Sequence, residues 1–371
     1  MTHLDLDSNA TTPLLPAAWE AMRPLMLENC GNASSSHALG RHARQQLETA
    51  REEVAELLGA RPDEVVFTAG ATEANNLAIF GLAGSNPGMI LAAPFEHPCV
   101  IEPYKALEKR GFHPNWLPVT PTGTVEPGEI QSRITTETRL VSLMLANHET
   151  GAIQPVRQVA KKLPKGVPLH CDAAQAVGKI PVNFRDLGVT TLSASAHKFH
   201  GPKGVGLLLL QKGTTFQPTL FGGFQQRGIR PGTEPVALAV GLAVALRHAV
   251  QMLEANRVKW LELRAAFLGN LGVDCVLNGS PEGLPTTLNL SFPGCRAEVL
   301  LMALDLAGVA CSTGSACSSG SLLPSPVLVA MGVPPAVLES AMRFSFHAGR
   351  TVEEMVDAAR RVTECVRRTS E

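Results

Sequence analysis

The sequence has 371 residues, 45% of them hydrophobic and 18% charged, with a formal net charge of -1. A single core stops growing at roughly 250–300 residues, so a chain of this length is expected to form two domains. Near-neutrality argues against a nucleic-acid or anionic-membrane surface and leaves small molecules and proteins as partners, and no uncharged apolar run reaches the ~18 residues of a membrane-spanning helix.

Residues 1–7 lack the basic-then-apolar layout of a signal peptide, which predicts a cytoplasmic protein. Between 41 and 58 the apolar residues Ala43, Leu47, Ala50, Val54 and Leu57 recur at helical spacing, and Gly59 supplies a stop. Short apolar runs bounded by turn residues follow at 65–68, 89–92, 140–145, 168–171, 191–194 and 206–210, separated by helical stretches. This alternation predicts an α/β fold whose mostly parallel central sheet is covered on both faces. Ligands of such sheets gather beyond the carboxyl ends of the strands. Asp172 directly follows one run, Asn147-His148-Glu149 nearly follows another, and Gly70-Ala71-Thr72-Glu73 follows a third.

Thr233-Glu234-Pro235 reads as a helix start with a hydroxyl cap and an early proline, and the chain reads as helical to about Asn270, a bridge to a second domain. Strand-like runs at 287–292 and 342–346 and a last helix opening with the capping box Thr351-Val352-Glu353-Glu354 predict a smaller α+β domain. The expected division is a large ligand-binding unit over 15–254 and a small unit made of 1–14 with 255–371.

The chemistry centres on Ser195-Ala196-His197-Lys198, a polar run followed by the turn Gly201-Pro202-Lys203-Gly204. A lysine here, with Asp172-Ala173-Ala174-Gln175 closing the preceding run, suggests a site for pyridoxal phosphate. That cofactor needs an amine for its aldehyde, a carboxylate to keep its ring nitrogen protonated and donors for its phosphate. Lys198 can be the amine, Asp172 the carboxylate and Gln175 a contact to the phenolic oxygen. The start of the helix after Gly70, helped by the Thr72 hydroxyl, can hold a phosphate. His97, in Phe95-Glu96-His97-Pro98, can stack on a flat ring and move protons near neutral pH. Arg343, in an apolar strand-like context, wants a carboxylate, which a substrate could supply. Each of these residues also has a plain reading as a cap, a surface lysine or a core histidine.

The eight cysteines are scattered, with no Cys-x-x-Cys pair, so zinc and disulfide frameworks have little support and no metal site is expected. Most read as small buried hydrophobes, Cys311 among them at the end of a strand. Cys317 differs: Ser312-Thr313-Gly314-Ser315-Ala316-Cys317-Ser318-Ser319-Gly320 is the composition of a loop, and it presents a thiol.

These motifs together, with Leu6-Asp7-Ser8-Asn9-Ala10-Thr11-Thr12-Pro13 and Arg230-Pro231-Gly232-Thr233, resemble in order and over nearly the whole chain the cysteine desulfurases of the class V aminotransferase family. The segment 318–328 resembles the longer catalytic loop of the branch serving nitrogenase and iron-sulfur cluster assembly. The resemblance implies a pyridoxal-phosphate-dependent transferase of fold type I that converts L-cysteine to alanine and leaves a persulfide on the enzyme. It implies that Lys198 carries the cofactor and shuttles the α proton. Ala71, Thr72, Ser195 and His197 would hold the phosphate, joined by Thr233 from the other subunit of a homodimer. His97 would stack on the ring, Asp172 would face its nitrogen and Gln175 its phenolic oxygen. Arg343, with His148, would receive the substrate carboxylate, and Cys317 would attack the substrate sulfur before passing it to an acceptor protein.

Three features depart from the family pattern. His148 stands where a second asparagine is usual, and protonation of an imidazole there would make carboxylate binding depend on pH. Gly222-Gly223-Phe224-Gln225-Gln226-Arg227 replaces the usual third glycine and His-Glu pair, and the chain ends soon after its capped helix, without the extended tail used by cluster-assembly members to dock a scaffold. A selenocysteine lyase, a plain aminotransferase of the same fold with Cys317 incidental, and a sulfur-relay protein without turnover are the alternatives.

Overall fold

The computed structural model describes residues 3–28, 31–313 and 324–370. Twelve strands are present among them: β1 Leu4–Asp5, β2 Val65–Thr68, β3 Met89–Ala92, β4 His113–Trp116, β5 Thr138–Ser142, β6 Leu169–Asp172, β7 Thr191–Ser195, β8 Gly206–Leu210, β9 Val276–Leu277, β10 Thr287–Ser291, β11 Val309–Ala310 and β12 Ala341–Ser345. Seven form the central sheet, in the order β2-β8-β7-β6-β5-β3-β4. Only β8 runs against its neighbours β2 and β7; the other pairings are parallel, as the alternating pattern predicts.

Side-chain alternation explains why these strands read as continuous apolar runs. Leu91, Val141, Leu207 and Leu209 enter the core on one face with the helices Ala38–Leu57 and Val236–Gln251. Ile90, Ala92, Leu140 and Leu208 face the other way, against Ile79, Tyr104 and Leu77 of the helices Ala71–Ala83 and Pro98–Glu108. A strand buried on both faces has no polar side to show, so its period of two is invisible in hydropathy. The edge strand β4 escaped the sequence reading for the opposite reason: His113-Pro114-Asn115-Trp116 is half-exposed and carries no apolar run.

A separate core gathers Leu4 and Leu6 with Trp260, Leu263 and Phe267, Leu288 and Leu290, Met342 and Phe344, and Val362 of the last helix. It surrounds the antiparallel sheet β12-β10-β9 and the short parallel pair β1-β11. The last helix, Val352–Thr369, opens with the expected reciprocal cap, Thr351 Oγ1 accepting from Glu354 N at 3.2 Å and Glu354 Oε2 accepting from Thr351 N at 2.9 Å.

Two expectations fail. The helix after Thr233 starts at Val236 with Pro235 as its N-cap and no side-chain cap, and Thr233, the expected hydroxyl, lies exposed two residues before that N-cap. The expected long bridge is two helices, Val236–Gln251 and Leu253–Gly269, bent by 70° at Met252. Among the described residues no single helix is long and apolar enough to cross a membrane.

Candidate active site

Because β8 alone is reversed, the carboxyl ends of the other six strands share one edge of the sheet, and the chain carries polar residues out of them into one place. A cavity of about 880 Å³ opens there, lined by residues that include Thr72, His97, His148, Asp172, Gln175 and Lys198. Ala71, Ser195 and His197 line it too, so the structure brings together most of the residues singled out from sequence. Gly206 permits the convergence: a Cβ there would lie 2.6 Å from Ala194 O and 2.7 Å from Gly70 Cα, so a larger residue would push β8 away from the turn that starts the helix Ala71–Ala83.

That helix points its first turn into the cavity with no side-chain cap. Uncapped N–H groups and the positive end of a 13-residue helix favour an anion. Glu73 does not compete for the turn, since its carboxylate accepts from Ala69 N at 2.6 Å and pairs with Arg230 Nε at 2.7 Å.

Asp172 ends β6 and is buried, its Oδ2 accepting from Asn75 Nδ2 at 2.8 Å and its Oδ1 from Ala174 N at 2.9 Å. Asn75 cannot turn round, because its Oδ1 accepts from Ser193 Oγ and meets His170 Nε2 at 3.0 Å. The carboxylate is thus fixed by a layer beneath the cavity that the sequence reading missed.

His97 caps its own helix, with Nδ1 accepting from Cys99 N at 3.1 Å, so in the neutral ring the hydrogen sits on Nε2. Burial lowers its pKa; Asp172 acts against that and Lys198 with it. His148 meets it edge-on, ring centroids 5.3 Å apart at 73°. Burial, then the charges of its neighbours His97, Arg343 and Lys198, push the pKa of His148 well below the usual histidine range. That direction favours the neutral ring and works against the pH-dependent carboxylate binding expected from sequence. Its Nδ1 is buried without a hydrogen-bond partner among the described residues.

Lys198 follows β7, its Nζ donating to Asn9 O at 2.6 Å and Ala10 O at 2.9 Å. His197 beside it bonds Thr11 Oγ1 at 3.1 Å and is pushed down to about 4, by burial first and the Lys198 charge second. The segment 9–12 therefore floors the site, a role that its motif alone does not reveal.

Arg343, on β12, already has a carboxylate: Nη2 lies 2.7 Å from Asp7 Oδ1, Nη1 donates to His148 O at 3.2 Å, and Nε is buried without a partner among the described residues. It stands behind His148 rather than among the residues lining the cavity. Thr233 is exposed and likewise outside the lining.

Cys317 lies outside the described residues, but the described residues on both sides of its segment bond to neighbours of His148. Ser312 exchanges backbone hydrogen bonds with Arg343 at 2.6 and 3.1 Å. Ser325 donates to Glu149 Oε2 at 2.5 Å, next to His148. Burial raises the Glu149 pKa to about 7, against the lowering effects of the Ser325 bond and Arg343.

The departure at Gln226 is structural. Its Oε1 accepts from Arg51 Nη1 and Phe67 N, each at 3.0 Å, and its Nε2 donates to Glu234, so it is not among the residues lining the cavity. Gln226 and Arg227 hold positive φ of 49° and 58° to make these contacts.

The class-V aminotransferase family model matches residues 5–358. A curated relative, the cysteine desulfurase IscS of Dictyoglomus turgidum, is 42% identical over 98% of this chain and 95% of its own. Among solved structures, a NifS-like protein superposes with a TM-score of 0.92 at 36% identity, covering 98% of this chain and 99% of its own. A second, SspA in complex with cysteine, gives 0.85 at 31%, over 93% and 99%. With a lysine, a buried carboxylate and an uncapped helix start converging as the sequence motifs foretold, the chain belongs to the class-V aminotransferases, in their cysteine desulfurase branch.

Proposed function

We propose that the chain is a pyridoxal-phosphate-dependent L-cysteine desulfurase that releases alanine and holds the sulfur as a persulfide on Cys317 for transfer to an acceptor protein. The observation that carries this reading is the convergence of Lys198, Asp172 and the uncapped helix start on one cavity. The donor set fits the cofactor: an anion cradle at Ala71 and Thr72 with Ser195 and His197 beside it, a rigid carboxylate at Asp172 for a ring nitrogen, and an amine at Lys198 for an aldehyde. Gln175 and His97 also line the cavity, and would meet the phenolic oxygen and the ring face. When bound, pyridoxal phosphate supplies an electron sink for bonds broken near the substrate α-carbon.

The chain's own residues do the rest. Asp172 would face the ring nitrogen, where a carboxylate favours the protonated ring. Lys198 takes the α proton and returns it one carbon on, moving between the substrate and the carbonyls of Asn9 and Ala10. His97, neutral through burial, offers an Nε2 hydrogen to substrate. Arg343 and the neutral His148 receive the substrate carboxylate, which requires Arg343 to loosen its hold on Asp7. Cys317 attacks as a thiolate: an S–S bond forms as the substrate C–S bond breaks.

The active unit is proposed to be a homodimer. Thr233 is outside its own cavity, and Phe221 and Phe224 on the preceding segment expose 89% and 95% of their surface, an apolar patch suited to a second subunit. Two units, 15–254 and 1–14 with 255–371, are proposed on the strength of the separate second core.

The direct test is incubation with L-cysteine followed by mass analysis of the peptide holding Cys317. An added sulfur atom there, absent in Cys317→Ala, is expected. A keto acid formed with no sulfur on Cys317 would replace the reading with transamination.

A further inference from the structure

Lys179 is a buried lysine with no carboxylate partner among the described residues. It is 6% exposed, and its Nζ donates to Gln175 Oε1 at 2.6 Å and to Asn9 Oδ1 at 2.9 Å. Lysine is almost never this buried unless paired with an acid, so the site tolerates an uncompensated cation for some return.

The turn after β6 sets the geometry. Helical-type hydrogen bonds from Ala176, Val177, Lys179 and Ile180 to Ala173 or Ala176 place Gln175 and Lys179 four residues apart on one face. An ammonium can only donate. It therefore takes the oxygen end of both amides and decides which way each points. For Gln175 this leaves the nitrogen, with one hydrogen on Asn9 O at 3.0 Å and the other toward the cavity that Gln175 lines. For Asn9 it leaves Nδ2, which donates to Thr287 Oγ1 at 2.9 Å and His148 O at 3.2 Å. The same Asn9 main-chain carbonyl accepts from Lys198 Nζ. One cation thus orients the amide beside the cofactor site and the floor on which the reactive lysine rests.

We infer that Lys179 is a positioning residue: its ammonium locks Gln175 as a hydrogen-bond donor to the cofactor's phenolic oxygen and fixes Asn9 under Lys198. The inference rests on the proposed cofactor reading. Burial, and then repulsion from Lys198 and Arg343, lower the Lys179 pKa well below its ordinary value, but two N–H hydrogens suffice to donate to both amide oxygens, so the geometry holds in either protonation state.

The test is a double-mutant cycle read by the visible absorption of the cofactor-loaded protein and by cofactor affinity, with desulfurase rate as a third readout. Gln175→Ala and Lys179→Met should each weaken cofactor binding about 10-fold, the worth of one buried hydrogen bond, and shift the absorption maximum or its pH midpoint in the same direction. The double variant should be no worse than Lys179→Met alone, because loss of the lysine already removes the oriented Gln175 contact. Lys179→Arg, which keeps the charge and can reach both oxygens, should restore the wild-type spectrum. Should Lys179→Met fail to fold, Lys179→Gln takes its place in the cycle; it fills the space but, having its own acceptor, no longer dictates the amide. Effects that add in the double variant, or a lysine variant that lowers urea resistance with an unchanged spectrum, would reduce Lys179 to a packing role. A wild-type protein with no cofactor absorption at all would instead sink the proposed function.

Discussion

Glu149 gives the sharpest quantitative consequence of burying the ends of the Cys317 segment against the site. Its carboxyl is held at about 7 against an ordinary 4.5, with burial the largest cause. Between those values the folded protein keeps a proton that the unfolded chain has lost, so stability must fall as pH rises through this window. The contribution is fully present below 4.5 and gone above about 7, and the gap corresponds to on the order of 3 kcal/mol. Glu149→Gln keeps an oxygen for the Ser325 hydroxyl but cannot ionise. Urea unfolding of both proteins at pH 4.5 and pH 8, followed by near-ultraviolet circular dichroism, isolates the effect, since every other titrating group is common to the pair. The stability of the variant relative to wild type should improve by about 2–3 kcal/mol from the lower pH to the higher. A difference that stays constant within about 0.5 kcal/mol would mean that Glu149 titrates as an ordinary carboxylate and that the burial argument is wrong.

The neutral state of His148 predicts that the ratio of KM for L-cysteine at pH 5.5 and 7.5 is the same in wild type and His148→Asn; a ratio that changes about 10-fold on substitution would show an imidazolium in the site. Gln226→Ala removes the side-chain acceptor of Phe67 N and one acceptor of the buried Arg51, which keeps Val65 O and Glu48, so it should cost about 1–3 kcal/mol in urea unfolding with kcat unchanged. A fall in kcat with unaltered stability would place Gln226 in the reaction instead.

What the sequence disclosed and what it hid follow one physical line. Lys198, Asp172, His97 and Thr72 sit within a few residues of strand ends, where a local run of apolar residues announces the position. Asn75 gave no such signal: it reads as one more polar residue inside a helix, and its bond to Asp172 spans 97 positions. Lys179 and Asn9 are 170 apart, and Arg343 and Asp7 336 apart, so only the closed fold shows that these charges are already spoken for. The bend at Met252 was hidden because no glycine or proline marks it in the sequence. The His148 environment could not be read from its neighbours in sequence either, since its neutrality comes from burial against His97 and Arg343.

The central claim is that Lys198 holds the cofactor. Reduction of the cofactor-loaded protein with borohydride, digestion and peptide mass analysis measures it most directly. A pyridoxyl label confined to Lys198, and lost in Lys198→Ala, is the predicted result. A label on Lys179 or Lys203 instead, or none on any lysine, would contradict the account.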